Sequence, residues 1–234
     1  MHTFIERFQF LRSRMIKISQ KISVIIPAFN EEKNLPRVLK VLEKIKWIDE
    51  IIVVDDCSED KTASVAEGFG IKVISHKKNS GKGGAMATGA KAAKHELLLF
   101  LDADLTGLQE DHILKILAPI CFTHEADLSL GVFGLEELKS TNLMNMAFPS
   151  ISGQRAIFKS KLPSLEIIAK QRYGVDYFIT KSIPKNRRAV ITLPNLSQVI
   201  KEDKSENLVK GIQSRVKMYQ EILKTMNSMK KDGK

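Results

Sequence analysis

Two aspartates separated by one residue, Asp102-Ala103-Asp104, follow the apolar run 97–101. Carboxylates at that spacing, set where a buried strand gives out, can approach one hard divalent cation. Such a cation neutralises a diphosphate and its leaving charge. Taken alone, the triplet is equally a cap for the turn before Asp111. Upstream, Gly81-Lys82-Gly83-Gly84 opens a helix-like stretch. Its glycines permit close backbone approach, the free amides of a first helical turn favour an anion, and Lys82 adds positive charge. The run is neither the Walker pattern nor the dinucleotide fingerprint, and a tight turn with an exposed lysine explains it as well. Asp55 and Asp56 close another apolar run. There they can accept hydrogen bonds from a base edge or a ribose hydroxyl, or Asp56 and Ser58 can cap a helix starting near Asp60.

These groups share one address only if the chain builds a particular sheet. Short β-branched runs at 22–27, 50–55, 72–75 and 96–101 alternate with helix-like stretches at 32–44, 60–68 and 82–94. Leu35, Val38, Leu39 and Leu42 recur at helical spacing in the first of these. Strands alternating with helices predict an α/β fold with a mostly parallel central sheet flanked by helices. The uninterrupted apolar runs 51–54 and 97–101 fit strands buried on both faces. In open sheets of this kind ligands bind beyond the carboxyl ends of the strands. The residues that follow the four strands are then Pro27, Ala28, Phe29, Asn30 and Glu31; Asp55, Asp56 and Ser58; Asn79 to Gly83; and Asp102 to Asp104. Four successive strands ending in ligand-type residues weigh more than any single motif.

The second half is less regular. Residues 127–130 read as a further strand, and 131–150, with Gly131, Gly134, Asn142, Asn145 and Pro149, as a mobile segment. Residues 205–230 read as one long basic amphipathic helix with Leu208, Ile212, Val216, Tyr219, Ile222 and Leu223 on its apolar face. The organisation expected is a basic amphipathic segment at 1–20, the α/β domain at 21–200 and a helical extension at 201–234.

At this point the run Ile22-Ser-Val-Ile-Ile-Pro-Ala-Phe-Asn-Glu-Glu32 can be set beside Glu50-Ile-Ile-Val-Val-Asp-Asp56, Asn79-Ser-Gly-Lys-Gly83 and Leu99-Phe-Leu-Asp-Ala-Asp-Leu105. Their order and spacing over about residues 21–182 closely resemble glycosyltransferase family 2 and its GT-A fold. Ser152-Gly-Gln-Arg-Ala156 and Tyr173-Gly-Val-Asp176 are similar to the branch holding polyprenyl-phosphate sugar transferases and glucosyl-3-phosphoglycerate synthases. The resemblance implies transfer of a sugar from a UDP- or GDP-sugar, with Mg²⁺ or Mn²⁺ as cofactor and a phosphate-bearing acceptor. It implies a nucleoside pocket lined by Pro27, Ala28, Asn30 and Glu31, with Asp55 or Asp56 and Lys82 reaching base or ribose. Asp104 would hold the metal directly, and Asp102 would lie nearer the ribose. Arg155 would lie beside the sugar or an acceptor phosphate, and Asp176 would face the donor sugar. One departure concerns the stretch 196–204, where relatives in this branch place a metal-binding histidine and this chain has Gln198. An amide oxygen serves Mg²⁺ or Mn²⁺ but is a poorer partner than imidazole for softer ions.

Composition sets the remaining bounds. With 234 residues, 43% hydrophobic and 27% charged, the chain can bury a real core. Cys57 and Cys121 stand far apart, which suggests neither a disulfide framework nor a zinc site. The first twenty residues have no continuous apolar stretch of the secretory kind, so the expected setting is cytoplasmic. The net charge of +10 is concentrated at the ends, with five Lys/Arg against one Glu in 1–21 and nine against five Asp/Glu in 201–234. Such ends suit peripheral contact with the anionic inner face of a membrane, or they are solvated helix faces. No aromatic-basic interleaving or nucleic-acid motif accompanies the pI of about 9.5. A homodimer is left open. Two rivals remain: a catalytically silent nucleotide-sugar binder, motivated by Gln198, and a sugar nucleotidyltransferase, which would need a Gly-rich, Arg-containing loop where this chain has Pro27-Ala-Phe-Asn-Glu31.

Overall fold

The computed structural model describes residues 20–134, 148–199 and 208–231. Seven strands form one sheet in the order β3-β2-β1-β4-β7-β6-β8. They are β1 (Ile22–Ala28), β2 (Glu50–Asp55), β3 (Lys72–Ser75), β4 (Leu97–Phe100), β6 (Leu128–Phe133), β7 (Arg155–Phe158) and β8 (Arg188–Leu193). The pairs β1–β2, β1–β4, β2–β3 and β6–β8 are parallel, whereas β7 runs antiparallel to both β4 and β6. A separate two-stranded ladder joins β5 (Leu105–Thr106) to β9 (Ser197–Gln198). The helices are α1 (Leu35–Leu42), α2 (Thr62–Gly68), α3 (Gly81–Ala92), α4 (Glu110–Cys121), α5 (Leu165–Lys170), α6 (Val175–Ser182) and α7 (Leu208–Lys231).

Strand parity explains why the central strands carry no polar alternation. Ile22, Val24 and Ile26 of β1 pack with α1 and α4 in one core, while Ile25 faces the opposite way into a second core with α3, α5 and α6. Leu35, Val38, Leu39 and Leu42 supply the α1 stripe, each at most 1% exposed and each contributing about 1.5–3 kcal/mol on burial. Helix α3 meets the sheet and α5 through small residues. A Cβ on Gly89 would sit 2.4 Å from the Ile25 side chain, one on Gly84 2.5 Å from Ser80 Cβ, and one on Gly83 2.5 Å from the carbonyl oxygen of Ile168 on α5.

Three expectations need correction. The strand read at 127–130 continues to Phe133, so residues 131–133 of the segment expected to be mobile are sheet. Gly131 stands there because a Cβ would lie 2.5 Å from Leu193 Cδ1. Residues 149–151 form a short 3-10 turn, and 135–147 lie outside the described residues. The C-terminal helix forms, but its buried residues include Thr225 and Met229, while Val216 and Leu223 are 49% and 55% exposed. The side chains of Leu208 and Ile212 lie outside the described residues, as does the segment 1–19. Among the described residues, no helix is long and apolar enough to cross a membrane.

Candidate active site

The carboxyl ends of β1, β2 and β4 meet the start of β7 along one edge, and a line of alternating charge runs through the meeting point. Asp102, just after β4, accepts a hydrogen bond from Lys82 Nζ on Oδ1 (2.7 Å) and from Gln154 Nε2 on Oδ2 (2.7 Å). Lys82 stands in the first turn of α3, and its Nζ also lies 2.7 Å from Asp176 Oδ2 at the start of α6. The other Asp176 oxygen is 2.9 Å from Arg155 Nη2. Burial alone would depress the Lys82 ammonium, but the Asp102 and Asp176 carboxylates overcome that and hold its pKa well above the ordinary lysine range. Lys82 is therefore a fixed cation between two anions.

Arg155 is wholly buried, and its two terminal nitrogens bond inside the protein, while among the described residues its Nε has no hydrogen-bond partner. The terminal nitrogens donate to the Asp176 carbonyl (2.9 Å), to Thr180 Oγ1 (3.4 Å) and to the Ser152 carbonyl. Burial lowers its pKa, opposed by Asp176 and then Asp102. This corrects the expectation of an arginine beside sugar or acceptor phosphate: the group is directed at the backbone that carries Asp176. Losing one partner of so buried a pair costs about 3–5 kcal/mol.

Asp56 is a second correction. Its Oδ1 accepts the Ser80 N–H (2.8 Å) and lies 2.7 Å from His76 Nδ1, while its Oδ2 accepts the Gly81 N–H (2.7 Å). The anion at the opening of α3 is thus a side chain of the protein, and Asp56 caps this helix instead of the one starting near Asp60. Gly81 follows in the left-handed region at φ +78°, which its lack of a side chain permits. Asp55 accepts the Ser58 N–H (3.3 Å). The loop after β1 is laced to the loop after β2: Asn30 N–H reaches Ser58 Oγ (2.9 Å), Asn30 Oδ1 accepts the Glu59 N–H (2.9 Å), and Glu31 N–H reaches Thr62 Oγ1 (2.8 Å). Pro27 is half-buried and Asn30 exposed along this floor. Ala28 and Ala103, each 4% exposed, turn their methyl groups into the core, so they can offer a ligand backbone only.

Asp104 lies half-buried in the turn between β4 and β5, and its carbonyl accepts the Val199 N–H (3.1 Å). Leu105 pairs with Gln198 across the β5–β9 ladder, so the structure brings Gln198 to the Asp102–Asp104 turn. Among the described residues, no group of three or more His, Cys, Asp or Glu gathers in the manner of a self-sufficient metal cage. A turn offering carboxylates and an amide oxygen instead fits a hard ion that completes its shell with phosphate and water.

The sequence profile of glycosyl transferase family 2 matches residues 23–184, more than half the chain. The chain belongs to that family. A 4,4'-diaponeurosporenoate glycosyltransferase of Staphylococcus haemolyticus is 41% identical over 112 residues, covering 45% of this chain and 30% of the relative. The dolichyl-phosphate beta-glucosyltransferase of Mus musculus is 40% identical over 102 residues, covering 37% and 32%. An uncharacterised protein of Methanocaldococcus jannaschii is 38% identical over 129 residues, covering 53% and 52%. The chain thus spans about half or less of the length of these curated relatives. Among solved structures, the glucosyl-3-phosphoglycerate synthase of Mycobacterium tuberculosis, with Mn²⁺, uridine diphosphate and glucosyl-3-phosphoglycerate, superposes with a TM-score of 0.69 at 21% identity, covering 91% of this chain and 80% of that one. That likeness establishes the GT-A fold.

In this family 2 chain two residues at the site carry no role in the sequence reading. Gln154, 0% exposed, orients Asp102, and Gly153 leaves the room: a Cβ there would lie 2.1 Å from Asp102 Oδ2. The signal was present in Ser152-Gly-Gln-Arg-Ala156, but only its arginine looked chemical.

Proposed function

We propose that this chain transfers a hexose from a nucleoside-diphosphate sugar to a phosphate-bearing acceptor, with Mg²⁺ or Mn²⁺ as cofactor. The observation that carries the reading is the Lys82 ammonium held at 2.7 Å from both Asp102 and Asp176, at the edge where the family's strands end. A cation that two carboxylates position is preorganised to meet the charge that grows on a departing diphosphate. Asp104 and Gln198 would hold the metal, Asp102 would serve the ribose, and the backbone of 27–31 with Asp55 would border the nucleoside. A divalent ion bound there supplies further neutralisation of the leaving group.

The reaction is a displacement at the anomeric carbon. An acceptor oxygen forms the new bond, and the bond to the diphosphate breaks with its electron pair leaving on the diphosphate. A hydroxyl acceptor would need a base. Asp176 Oδ2 and Oδ1 pair with Lys82 and Arg155, which suits Asp176 to placing Lys82. A phosphate acceptor is already anionic and needs no base. The names of similar proteins include acceptors that bear phosphate: phosphoglyceric acid, which also carries a hydroxyl, accompanies UDP-glucose in one solved neighbour, and the mouse relative is a dolichyl-phosphate glucosyltransferase. The proposed setting is the cytoplasmic face of a membrane, reached by the basic ends.

The test is calorimetric titration of UDP-glucose and GDP-mannose with and without Mn²⁺, followed by release of free nucleoside diphosphate. One donor should bind only with metal, and Asp104→Ala should abolish that metal-promoted binding. Metal-independent binding by both chains would defeat the assignment. Binding without any release would leave a silent receptor for the nucleotide sugar.

A further inference from the structure

Residues 171–174 form a turn between α5 and α6, and Arg172 sits in it at φ +46°. A side chain other than glycine or asparagine is costly there and persists only where its surroundings over-determine it. The surroundings come from the C-terminal helix, beyond the segment that the family profile matches. Glu221 on α7 spends both carboxylate oxygens on the turn: Oε1 accepts Arg172 Nε (3.3 Å) and Oε2 accepts the Tyr173 N–H (3.3 Å). Next to it, Thr225 Oγ1 donates to Gln171 Oε1 (3.5 Å), and a Cβ on Gly174 would lie 2.0 Å from that same hydroxyl oxygen. The helix is pressed onto the turn with no space between them.

On its other side the turn touches both segments that supply the charged line. Arg172 Nη2 donates to Asn79 Oδ1 (3.2 Å), and a Cβ on Gly81 would meet Arg172 Cβ at 3.1 Å. Lys82 is the next residue after Gly81, and Asp176 stands two residues beyond Gly174. We propose that Glu221 is a positioning residue for the donor site: its carboxylate holds the left-handed Arg172 turn, and that turn sets the Lys82–Asp176 contact. The proposal rests on the donor-site reading above. Arg172 and Glu221 side chains are 39% and 20% exposed, so as an ion pair they stabilise the fold little. Their effect is on placement.

The experiment compares the full chain with Glu221→Ala, Glu221→Gln, Arg172→Gly and the Arg172→Gly/Glu221→Ala pair. Readouts are calorimetric binding of UDP with Mn²⁺, kcat and KM for release of UDP from UDP-glucose, and amide exchange across 76–90 and 171–182. Glu221→Ala should weaken UDP binding and lower kcat by about tenfold, the scale of a small misplacement of catalytic groups. Exchange should quicken in those two segments alone. Glu221→Gln, which keeps one acceptor oxygen, should recover part of the loss. In the Arg172→Gly background removing Glu221 should change little, because glycine adopts this φ unaided. Wild-type values for all three readouts in Glu221→Ala overturn the proposal, as does faster exchange spread evenly over the chain. A wild-type chain that binds no UDP with Mn²⁺ refutes the donor reading instead, and the exchange pattern then decides the role of Glu221 by itself.

Discussion

At the scale of single residues, charge alternation organises the site. Gln154, Asp102, Lys82, Asp176 and Arg155 follow one another through space, joined by hydrogen bonds at Asp102 and by ion pairs on either side of Asp176. Lys82→Met removes the middle of that line and leaves two carboxylates facing a shared gap. Loss of one preorganised donor of developing negative charge lowers kcat by about 10²–10³. Steady-state kinetics with UDP-glucose should show that loss in kcat, and an unchanged kcat would strip Lys82 of its role. Gly153→Ala is the subtler probe, because a methyl group has nowhere to go but the Asp102 carboxylate. The expected result is a folded protein with donor affinity at least about tenfold weaker; equal affinity would mean that the position of Asp102 does not matter. The sequence made Asp102, Lys82 and Asp176 visible as chemical groups, but not their partners. Arg155 reads as a group beside sugar or acceptor phosphate until β7 is known to pair with β4, and Asp56 reads as a ligand for base or ribose or a cap for the nearest helix until Gly81 is folded against it. Both assignments depend on contacts between residues more than twenty positions apart.

Elements place these residues, and some were easier to read than others. Strands β1, β2 and β4 are continuous apolar runs because both faces are covered, a pattern that stands out in any window. Strand β7 is only four residues long, opens on a buried arginine and is inserted antiparallel between β4 and β6, so no local rule isolates it. Strand β8 sits at the sheet edge with Val190 and Thr192 exposed, which weakens its apolar signature. Helix α4 offers an element-scale prediction. Its N-terminus is closed by His112, whose Nδ1 accepts the Gln109 N–H (3.2 Å) while Nε2 donates to the Pro194 carbonyl (2.9 Å). That pairing requires the neutral ring, and burial, first among the causes, keeps the pKa below the usual histidine value; the Pro194 bond and Asp111 oppose it and Lys115 assists it. The unfolded chain protonates near pH 6.5 and the folded chain does not, so this stability is complete above that pH and declines as pH falls through it. Thermal unfolding between pH 7.5 and 5.5 should therefore slope downward more steeply for the native chain than for His112→Gln, whose amide can still reach Pro194. Identical slopes would remove His112 from the account.

For the molecule as a whole, charge and connectivity matter most. Most of the charge of +10 lies in residues 1–21 and 201–234, outside the 23–184 span of the family profile, which suits those ends to an anionic surface. Co-sedimentation with vesicles rich in anionic lipid should exceed that with neutral vesicles and should fade as salt shortens the screening length to about 3 Å at 1 M. A chain lacking residues 1–20 should bind less; equal capture of both chains, or none of either, would remove the membrane from the proposal. The glycine contacts of α3 bear on ancestry. At Gly83 the obstacle to any side chain is the backbone of α5, which no rotamer change can move aside. Mutational drift is closed at that position unless α5 itself shifts, so the spacing between α3 and α5 is inherited as one unit.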